Sequence, residues 1–290
     1  MTKELKTGSH KKGSHRTLHA PQNNYGFTLI EMIVVIVITG IIAAIVAVFI
    51  RAPVQGYMDS ARRAGFSDTA DTALRRMTRD LRLALPNSVR TTRVGNDTYL
   101  EFIPTSDGGR YRAGAPGDML DLTVADTTFD VLGPMPAFAA GGSIVVYNLG
   151  IPGASAYDVP ATNRAAWISN TATTVTIAPT RFPFESPGHR FHVIATPVTY
   201  VCAPTLNGTG GTLTRYWGYT IQATQPTDAA ATPLLTAARA LLATNVSACN
   251  FTYDPNVVAQ RSGLVTMHLT LTQDGESVTL YSAAHISNTP

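Results

Sequence analysis

The stretch GFTLIEMIVVIVI, residues Gly26–Ile38, places one carboxylate near the start of a long apolar run. Between Met32 and Ile50 the apolar sequence is interrupted only by one threonine and one glycine. The segment Phe27–Ile50 is therefore long enough to cross a bilayer as a helix. A charged side chain inside such a helix costs about 2.5–3.5 kcal/mol on insertion scales, so Glu31 requires a partner or a function.

The segment before the apolar run is polar and basic. Five of the 22 basic residues and one of the 19 acidic residues precede Gly26, which leaves 17 basic and 18 acidic side chains after it. Basic residues ahead of an apolar span stay on the cytoplasmic side, so we expect a single-pass protein of the bacterial inner membrane with the chain after Arg51 in the periplasm. The near-neutral remainder has no basic stripe, and no nucleic-acid partner is expected. The early charges are Lys3, Glu4, Lys6, Lys11, Lys12 and Arg16.

Lysine is confined to this basic segment. After Gly26 every side-chain cation of the Lys and Arg type is an arginine. A cut at that point would make the new α-amino group the only primary amine of the shortened chain. Residues 1–26 carry no periodic apolar pattern, so we expect them to be an unstructured leader.

The apolar run continues into an amphipathic segment. Pro53 and Gly56 predict a disturbance of the helix, which then resumes and ends near Leu85, before Pro86. Apolar residues recur in this second half at spacings of three and four, which predicts one stripe that a domain must cover. The stripe consists of Phe66, Ala70, Ala73, Leu74, Met77, Leu81 and Ala84.

Charged residues occupy the opposite face of this second half. Asp71 and Arg75 stand in the acid-first order, four residues apart, that favours an ion pair on a helix. Two interpretations stay open, a solvated and salt-bridged face or a surface that packs on neighbouring helices. The charged residues are Asp68, Asp71, Arg75, Arg79 and Arg82.

Beyond Pro86, short runs of β-branched and aromatic residues alternate with Gly, Pro, Asn and Asp, which predicts a mainly antiparallel β domain. A helix is predicted at Pro233–Ala243, where a proline precedes periodic leucines. A terminal hairpin is predicted around the Asp274-Gly275 pair, between Leu264–Thr272 and Ser277–Tyr281. The other predicted strands are Tyr99–Ile103, Leu120–Val124, Ser143–Asn148, Thr173–Ile177, Phe191–Cys202 and Leu213–Ile221.

These patterns together predict an α+β fold. A long N-terminal helix, transmembrane in its first half and amphipathic in its second, would pack on a mainly antiparallel β-sheet head. The expected organisation is a leader at 1–26, a transmembrane half of the helix at 27–50, a periplasmic amphipathic half at 51–85 and a periplasmic β-rich head at 86–290.

Two cysteines, Cys202 and Cys249, lie in the part expected outside the cytoplasm, where disulfides persist. A bridge that closes the loop between them would be worth about 4 kcal/mol in the chain-entropy model. A disulfide is the favoured interpretation, and two unrelated buried thiols are the alternative.

Sequence motifs of catalysis are absent. The chain has no Gly-x-Ser-x-Gly elbow, no Walker loop and no Gly-x-Gly-x-x-Gly. His189 and His192 stand three apart on a predicted strand, which sends their side chains to opposite faces. We therefore expect no enzyme activity, no catalytic residue, no metal and no cofactor. A membrane-anchored periplasmic enzyme or binding module, the alternative, would need polar groups that converge in a pocket.

The basic leader, Gly26, the Phe-Thr-Leu-Ile-Glu that follows and the apolar run resemble the type IV prepilin signature. The resemblance implies that a prepilin peptidase cuts between Gly26 and Phe27 and methylates the new amino group. It also implies that the Phe27 ammonium of a neighbouring subunit neutralises Glu31 and sets the register between stacked helices. Tyr25 stands where the family commonly has a basic residue.

Further segments resemble minor pilins of mannose-sensitive haemagglutinin (MSHA) pili. This resemblance implies a low-abundance subunit that enters a type IV pilus filament or its priming tip complex. Its partners would be the prepilin peptidase, other pilins or minor pilins, the inner-membrane assembly platform and the lipid bilayer. The segments are Phe49–Tyr57, Ala61–Arg63, Ala73–Met77, Leu81–Arg90, Leu242–Phe251 and Gly263–Tyr281.

A pseudopilin of type II secretion, of the large kind near the pseudopilus tip, is the alternative within this class. Pilins and pseudopilins share the helix and the processing chemistry, so the N-terminal signature does not separate them. Glu31 argues against the one tip subunit type that lacks this glutamate.

Overall fold

The computed structural model describes residues 26–255 and 262–290. The chain divides into two compact units, with the boundary in sequence between Gly56 and Tyr57. One long helix, α1 (Leu29–Leu81), precedes a series of antiparallel strands, which confirms the predicted α+β class. The predicted leader lies outside the described residues except for Gly26.

The strands all follow α1 in the chain. They are β1 (Arg90–Val94), β2 (Asp97–Phe102), β3 (Thr105–Arg110), β4 (Asp126–Asp130), β5 (Ser143–Val146), β6 (Arg164–Asn170), β7 (Thr174–Thr180), β8 (Arg190–Ile194), β9 (Val198–Ala203), β10 (Thr212–Trp217), β11 (Ala238–Thr244), β12 (Val246–Asp254), β13 (Ser262–Gln273) and β14 (Glu276–Ser287).

Helix α1 differs from its prediction at two points. The helix continues through Pro53, even though a proline removes one backbone hydrogen bond. The predicted disturbance is therefore wrong. The helix ends at Leu81 rather than near Leu85. The chain leaves the helix because the N–H of Leu85 donates to the carbonyl of Ile103, at 2.8 Å, beside the end of β2.

The main core lies where the second half of α1 meets two sheets. Ala70, Met77 and Leu81 of the predicted apolar stripe are fully buried, which confirms that a domain covers it. The five-stranded sheet has the order β1-β2-β9-β10-β11, and the three-stranded sheet has the order β12-β13-β14. Both sheets contribute to the same apolar cluster, for example Leu100 from β2 and Met267 from β13.

Strands β3 to β8 form a separate six-stranded sheet in the order β3-β8-β5-β6-β7-β4. They are inserted between β2 and β9, which pair directly with Leu100 opposite Tyr200. The insertion has its own apolar cluster, in which Phe129, Ile144 and Phe191 are buried. The described part of the head therefore has more than one apolar core.

The predicted helix at Pro233–Ala243 is wrong. Only a short 3-10 turn, Leu234–Thr236, forms there, and the rest becomes edge strand β11. The apolar residues pair with β10 instead, with Ala240 opposite Arg215, so sheet pairing overrides the helical spacing.

One further strand prediction is wrong, and another is wrong in part. Leu120–Val124 forms no strand, because the Asp126 carboxylate accepts the backbone N–H of Asp121 at 2.7 Å and holds a loop. The run Phe191–Cys202 divides into β8 and β9, which belong to different sheets. Pro197, which has no N–H to donate, lies between them.

The remaining strand predictions are confirmed. The runs that begin at Tyr99, Ser143, Thr173 and Leu213 overlap β2, β5, β7 and β10. The terminal hairpin is formed by β13 and β14, whose turn places Asp274 and Gly275 at positive φ of 53° and 84°. Two positive φ values are what a two-residue turn between right-twisted strands requires.

Candidate processing and assembly site

The start of α1 is held by a side-chain cap. Thr28 precedes the helix, its carbonyl accepts the N–H of Met32 at 3.2 Å, and its Oγ1 accepts the N–H of Glu31 at 3.3 Å. A threonine three residues before a glutamate is the sequence of a capping box, a signal that the sequence reasoning missed. The cap fixes the helix start two residues after the Gly26–Phe27 bond.

The Gly26–Phe27 bond lies outside the helix and is accessible. A side chain added at Gly26 would meet no atom of the described chain within 4 Å, and its φ is not in the left-handed region. Phe27 is 76 % exposed. Neither packing nor backbone conformation within the described chain therefore requires a glycine or an aromatic residue at this place.

Glu31 projects from the first turn of the helix and is exposed. Within residues 26–255 and 262–290, no ion pair or hydrogen bond reaches its carboxylate. The N-terminal end of a helix favours a nearby negative charge, so the position is electrostatically tolerable but unneutralised.

The helix that carries Glu31 is bare over its first half. Each residue from Leu29 to Ile50 is exposed. The hydroxyl of Thr39 bonds within the helix, to the carbonyls of Val35 at 2.7 Å and Ile36 at 3.1 Å, so it leaves no unsatisfied donor on the apolar surface. Among the described helices, α1 is long and apolar enough to cross a membrane.

The model of the prokaryotic N-terminal methylation motif matches residues 21–47, which include the cut site, Glu31 and most of the apolar run. The chain is type IV pilin-like at its N-terminus. The motif implies processing by a prepilin peptidase and assembly with other pilins. It is shared by pilins and pseudopilins and does not distinguish them. No curated protein and no solved structure matches the chain.

The two cysteines lie together in the head. A disulfide joins Cys202 of β9 to Cys249 of β12, with their Cα atoms 6.5 Å apart. Cys202 is fully buried and Cys249 nearly so. Because β9 and β12 belong to different sheets, the bridge links the five-stranded sheet to the three-stranded one.

A partly buried ionic cluster links α1 to the five-stranded sheet. The carboxylate of Asp80 accepts hydrogen bonds from Arg215 Nε at 2.8 Å, from the Tyr200 hydroxyl at 2.8 Å and from Arg76 Nε at 3.2 Å. Burial and the nearby Asp80 carboxylate raise the pKa of Tyr200 well above its usual range. The sequence did not predict this cluster, because its members lie far apart along the chain.

A second ionic cluster surrounds a fully buried carboxylate at β1 and β2. The carboxylate of Glu101 accepts Arg90 Nε at 2.6 Å and the Tyr219 hydroxyl at 2.9 Å. Arg90 also donates to the carbonyls of Gln222 and Ala223, which ties the loop after β10 to β1. Burial raises the pKa of Glu101, and the Arg90 charge opposes that rise. Every charged group of the cluster is hydrogen-bonded, which indicates a structural role that holds the loop against the sheet.

The histidines do not converge. His189 Nδ1 lies 3.0 Å from Glu185, while burial lowers the pKa of His192. His268 packs edge-to-face on Tyr281, with ring centroids 4.7 Å apart. Within the described ranges, no group of three or more His, Cys, Asp or Glu side chains could hold a metal ion.

Proposed function

We propose that this chain is a minor pilin of an MSHA-like type IV pilus, similar to MshO, and acts as a structural subunit rather than an enzyme. The observation that carries the proposal is the register of Gly26, Phe27 and Glu31 at the start of a bare apolar helix. The matched methylation motif supports it. The segment resemblances to MSHA minor pilins favour this system over a type II secretion pseudopilus.

In the proposed pathway, prepilin peptidase cuts the leader 1–26 from the chain on the cytoplasmic side of the inner membrane. Gly26 suits a tight protease subsite because it has no side chain, and no packing within the described chain requires a glycine there. The cut exposes the amino group of Phe27, which is then methylated. The Thr28 cap keeps the cut bond outside the helix, where a protease can bind it in extended form.

In the proposed arrangement, residues 27–50 of α1 lie in the inner membrane, while residues 51–85 and the head at 86–290 lie in the periplasm. The unpaired Glu31 carboxylate would then require a cation from outside the chain. The Phe27 ammonium of a neighbouring subunit supplies that cation as the helices stack in the filament. Because this ion pair forms only when the helices stack in one register, Glu31 sets the register between neighbouring subunits.

The variant Glu31→Val tests this proposal. We expect it to be processed and inserted in the membrane at the wild-type level, while its recovery in sheared filaments falls by at least about tenfold, because a buried ion pair that loses one partner leaves the other charge uncompensated. Quantitative immunoblots of membrane and sheared fractions measure both quantities.

Thr39→Val is the matched control, because Thr39 is a polar residue of the same apolar run whose hydroxyl is satisfied within the helix. It should enter filaments as the wild type does. Equal recovery of Glu31→Val and wild type in the sheared fraction would contradict the proposal. Absence of the wild type from sheared pili would contradict a place in the filament.

A further inference from the structure

Within residues 26–255 and 262–290, the three sheets of the head have six edge strands, and five of these carry features that discourage pairing with another chain. β3, β4, β11 and β12 each show a shift of register against their neighbour. β1 is five residues long, carries two arginines, and is approached by the Gln225 side chain, which donates to the Arg90 carbonyl. Bulges, short length, charge and cover are the usual protections of a sheet edge.

β14 has neither a bulge nor a short length, and its one acidic residue, Glu276, lies at its start. It pairs with β13 over all twelve residues, from Gln273 opposite Glu276 to Ser262 opposite Ser287, with no shift of register. It contains neither proline nor lysine, and the stretch Ser277–Ala284 carries no charge. Within the described ranges, no backbone group outside β13 forms a hydrogen bond to β14.

The apolar side chains of β14 are also incompletely covered. On β13, the inward residues Val265, Met267 and Leu269 are fully buried. On β14, the inward residues Ala284 and Ile286 are buried, but Val278 and Leu280 are only half-buried. The core therefore stays open along the first half of this edge, next to a row of backbone groups that β13 does not pair.

We infer that β14 is the docking edge for an extended strand of another protein chain. The partner strand would be uncharged like Ser277–Ala284, and apolar at alternate positions so that its side chains complete the cover of Val278 and Leu280. Backbone hydrogen bonds supply affinity in this mode of recognition, and the alternating side chains supply selectivity. The inference goes beyond the proposed function, since it concerns the head and does not depend on the processed N-terminus.

The residues of β14 and its unpaired backbone edge favour a strand as the partner rather than another kind of ligand. Its outward residues are small or polar except Tyr281, and those of the next strand include His268 and a series of threonines, which is the composition of an ordinary solvated sheet face. The unusual feature is the unprotected backbone edge. The ion pair of Glu276 with Arg63 lies at the start of the strand and leaves the rest of the edge uncharged.

The test uses the full chain in detergent and a synthetic peptide with the sequence of residues 264–271, the uncharged alternating strand that β14 already accepts on its other side. Peptide binding is followed by fluorescence anisotropy, and hydrogen exchange of residues 276–287 is measured by mass spectrometry. We expect the peptide to slow exchange of the β14 amides that face away from β13. A peptide of the same composition with the alternation scrambled should not do so.

Tyr281→Arg should weaken peptide binding by at least about tenfold, because charge on an edge strand opposes pairing. The matched control is Asn250→Arg. Asn250 and Tyr281 are both exposed and lie opposite His268 in one cross-strand row, but Asn250 is on the shifted edge β12. This control should change binding by less than about twofold.

Three results would overturn the inference. The first is unchanged β14 exchange in the presence of peptide. The second is equal weakening by both arginine variants. The third is protection of the same amides at high protein concentration without peptide, which would assign the edge to a second copy of this chain. Absence of the wild type from sheared pili contradicts only the proposed function, because peptide binding does not require filaments.

Discussion

The two halves of α1 have opposite environments although they belong to one helix. In the first half, Ile36 is 63 % exposed and Phe49 is 76 % exposed, whereas Met77 and Leu81 in the second half are fully buried. The head supplies the cover for the second half. Apolar surface on the scale of the first half is stable only against lipid or other protein, so the first half depends on partners outside the chain.

This comparison separates substitutions that affect membrane insertion or assembly from substitutions that affect the stability of the head. Changes in the bare half should affect membrane insertion or assembly and leave the stability of the head unchanged. Changes in the contacts of the head should alter its free energy of unfolding and leave processing at Gly26 unchanged. A substitution that changed assembly and the free energy of unfolding of the head to an equal extent would contradict this separation.

Removal of the disulfide should have the largest effect on the head. In Cys202→Ala combined with Cys249→Ala, we expect the free energy of unfolding to fall by about 4 kcal/mol, since the bridge closes a loop across 47 residues and links two sheets. Urea denaturation followed by near-ultraviolet circular dichroism measures this change. Cleavage at Gly26, read from intact mass, should be unaffected; an equally stable variant would contradict the structural role of the bridge.

Asp80→Asn should have the next largest effect. It leaves Arg215 without its counter-charge at the contact between α1 and the sheet, and we expect a loss of about 3 kcal/mol because a buried charge loses its partner. Asp71→Asn is the control, since Asp71 pairs with Arg75 on the exposed face of the same helix. The control should unfold at the wild-type urea concentration. Equal destabilisation of the two variants would show that Asp80 is no more than a surface ion pair.

The titration of Glu101 should give the smallest effect, and the size of that effect depends on pH. Burial raises its pKa in the folded state above the usual value of 4.5, so the folded state retains a proton that the unfolded state has released. The stability contributed by this group therefore falls as pH rises from about 4.5 through the raised pKa and is constant above it. The total fall is about 1.4 kcal/mol for each pH unit between the unfolded-state and folded-state pKa values.

Comparison of the wild type with Glu101→Gln isolates this effect. The difference in free energy of unfolding, wild type minus variant, should decline with rising pH across that window. The variant also leaves Arg90 without its counter-charge, so the slope of the difference with pH is compared rather than its absolute value. Urea titrations at a series of pH values measure the slope, and a difference that rises with pH would contradict the burial of the carboxylate.

The local features of this fold were predictable from sequence. The apolar stripe of α1 and the terminal hairpin at Asp274-Gly275 depend on spacing and turn chemistry within a few residues, and both predictions are confirmed. The helix predicted at Pro233–Ala243 failed because its apolar residues serve equally well in a strand once β10 is beside them.

The non-local features were not predictable. β2 pairs with β9 across a hundred residues, Leu100 opposite Tyr200, and nothing in the local sequence marks the six strands between them as an insertion with its own core. Strands β3 and β4 were missed for the same reason, since they pair with the distant β8 and β7. Strands β1, β6 and β12 were missed although each pairs with the next strand in the chain. The candidate site was different: Gly26, Phe27 and Glu31 lie within six residues, so their register was visible in the sequence alone.

We propose that the mature chain begins at a processed Phe27, two residues before the start of α1. The most direct measurement is the intact mass of the protein recovered from membranes, with and without an active prepilin peptidase. We expect a mass of Phe27–Pro290 plus one methyl group only when the peptidase is active. A chain that retains residues 1–26 under both conditions would contradict this proposal.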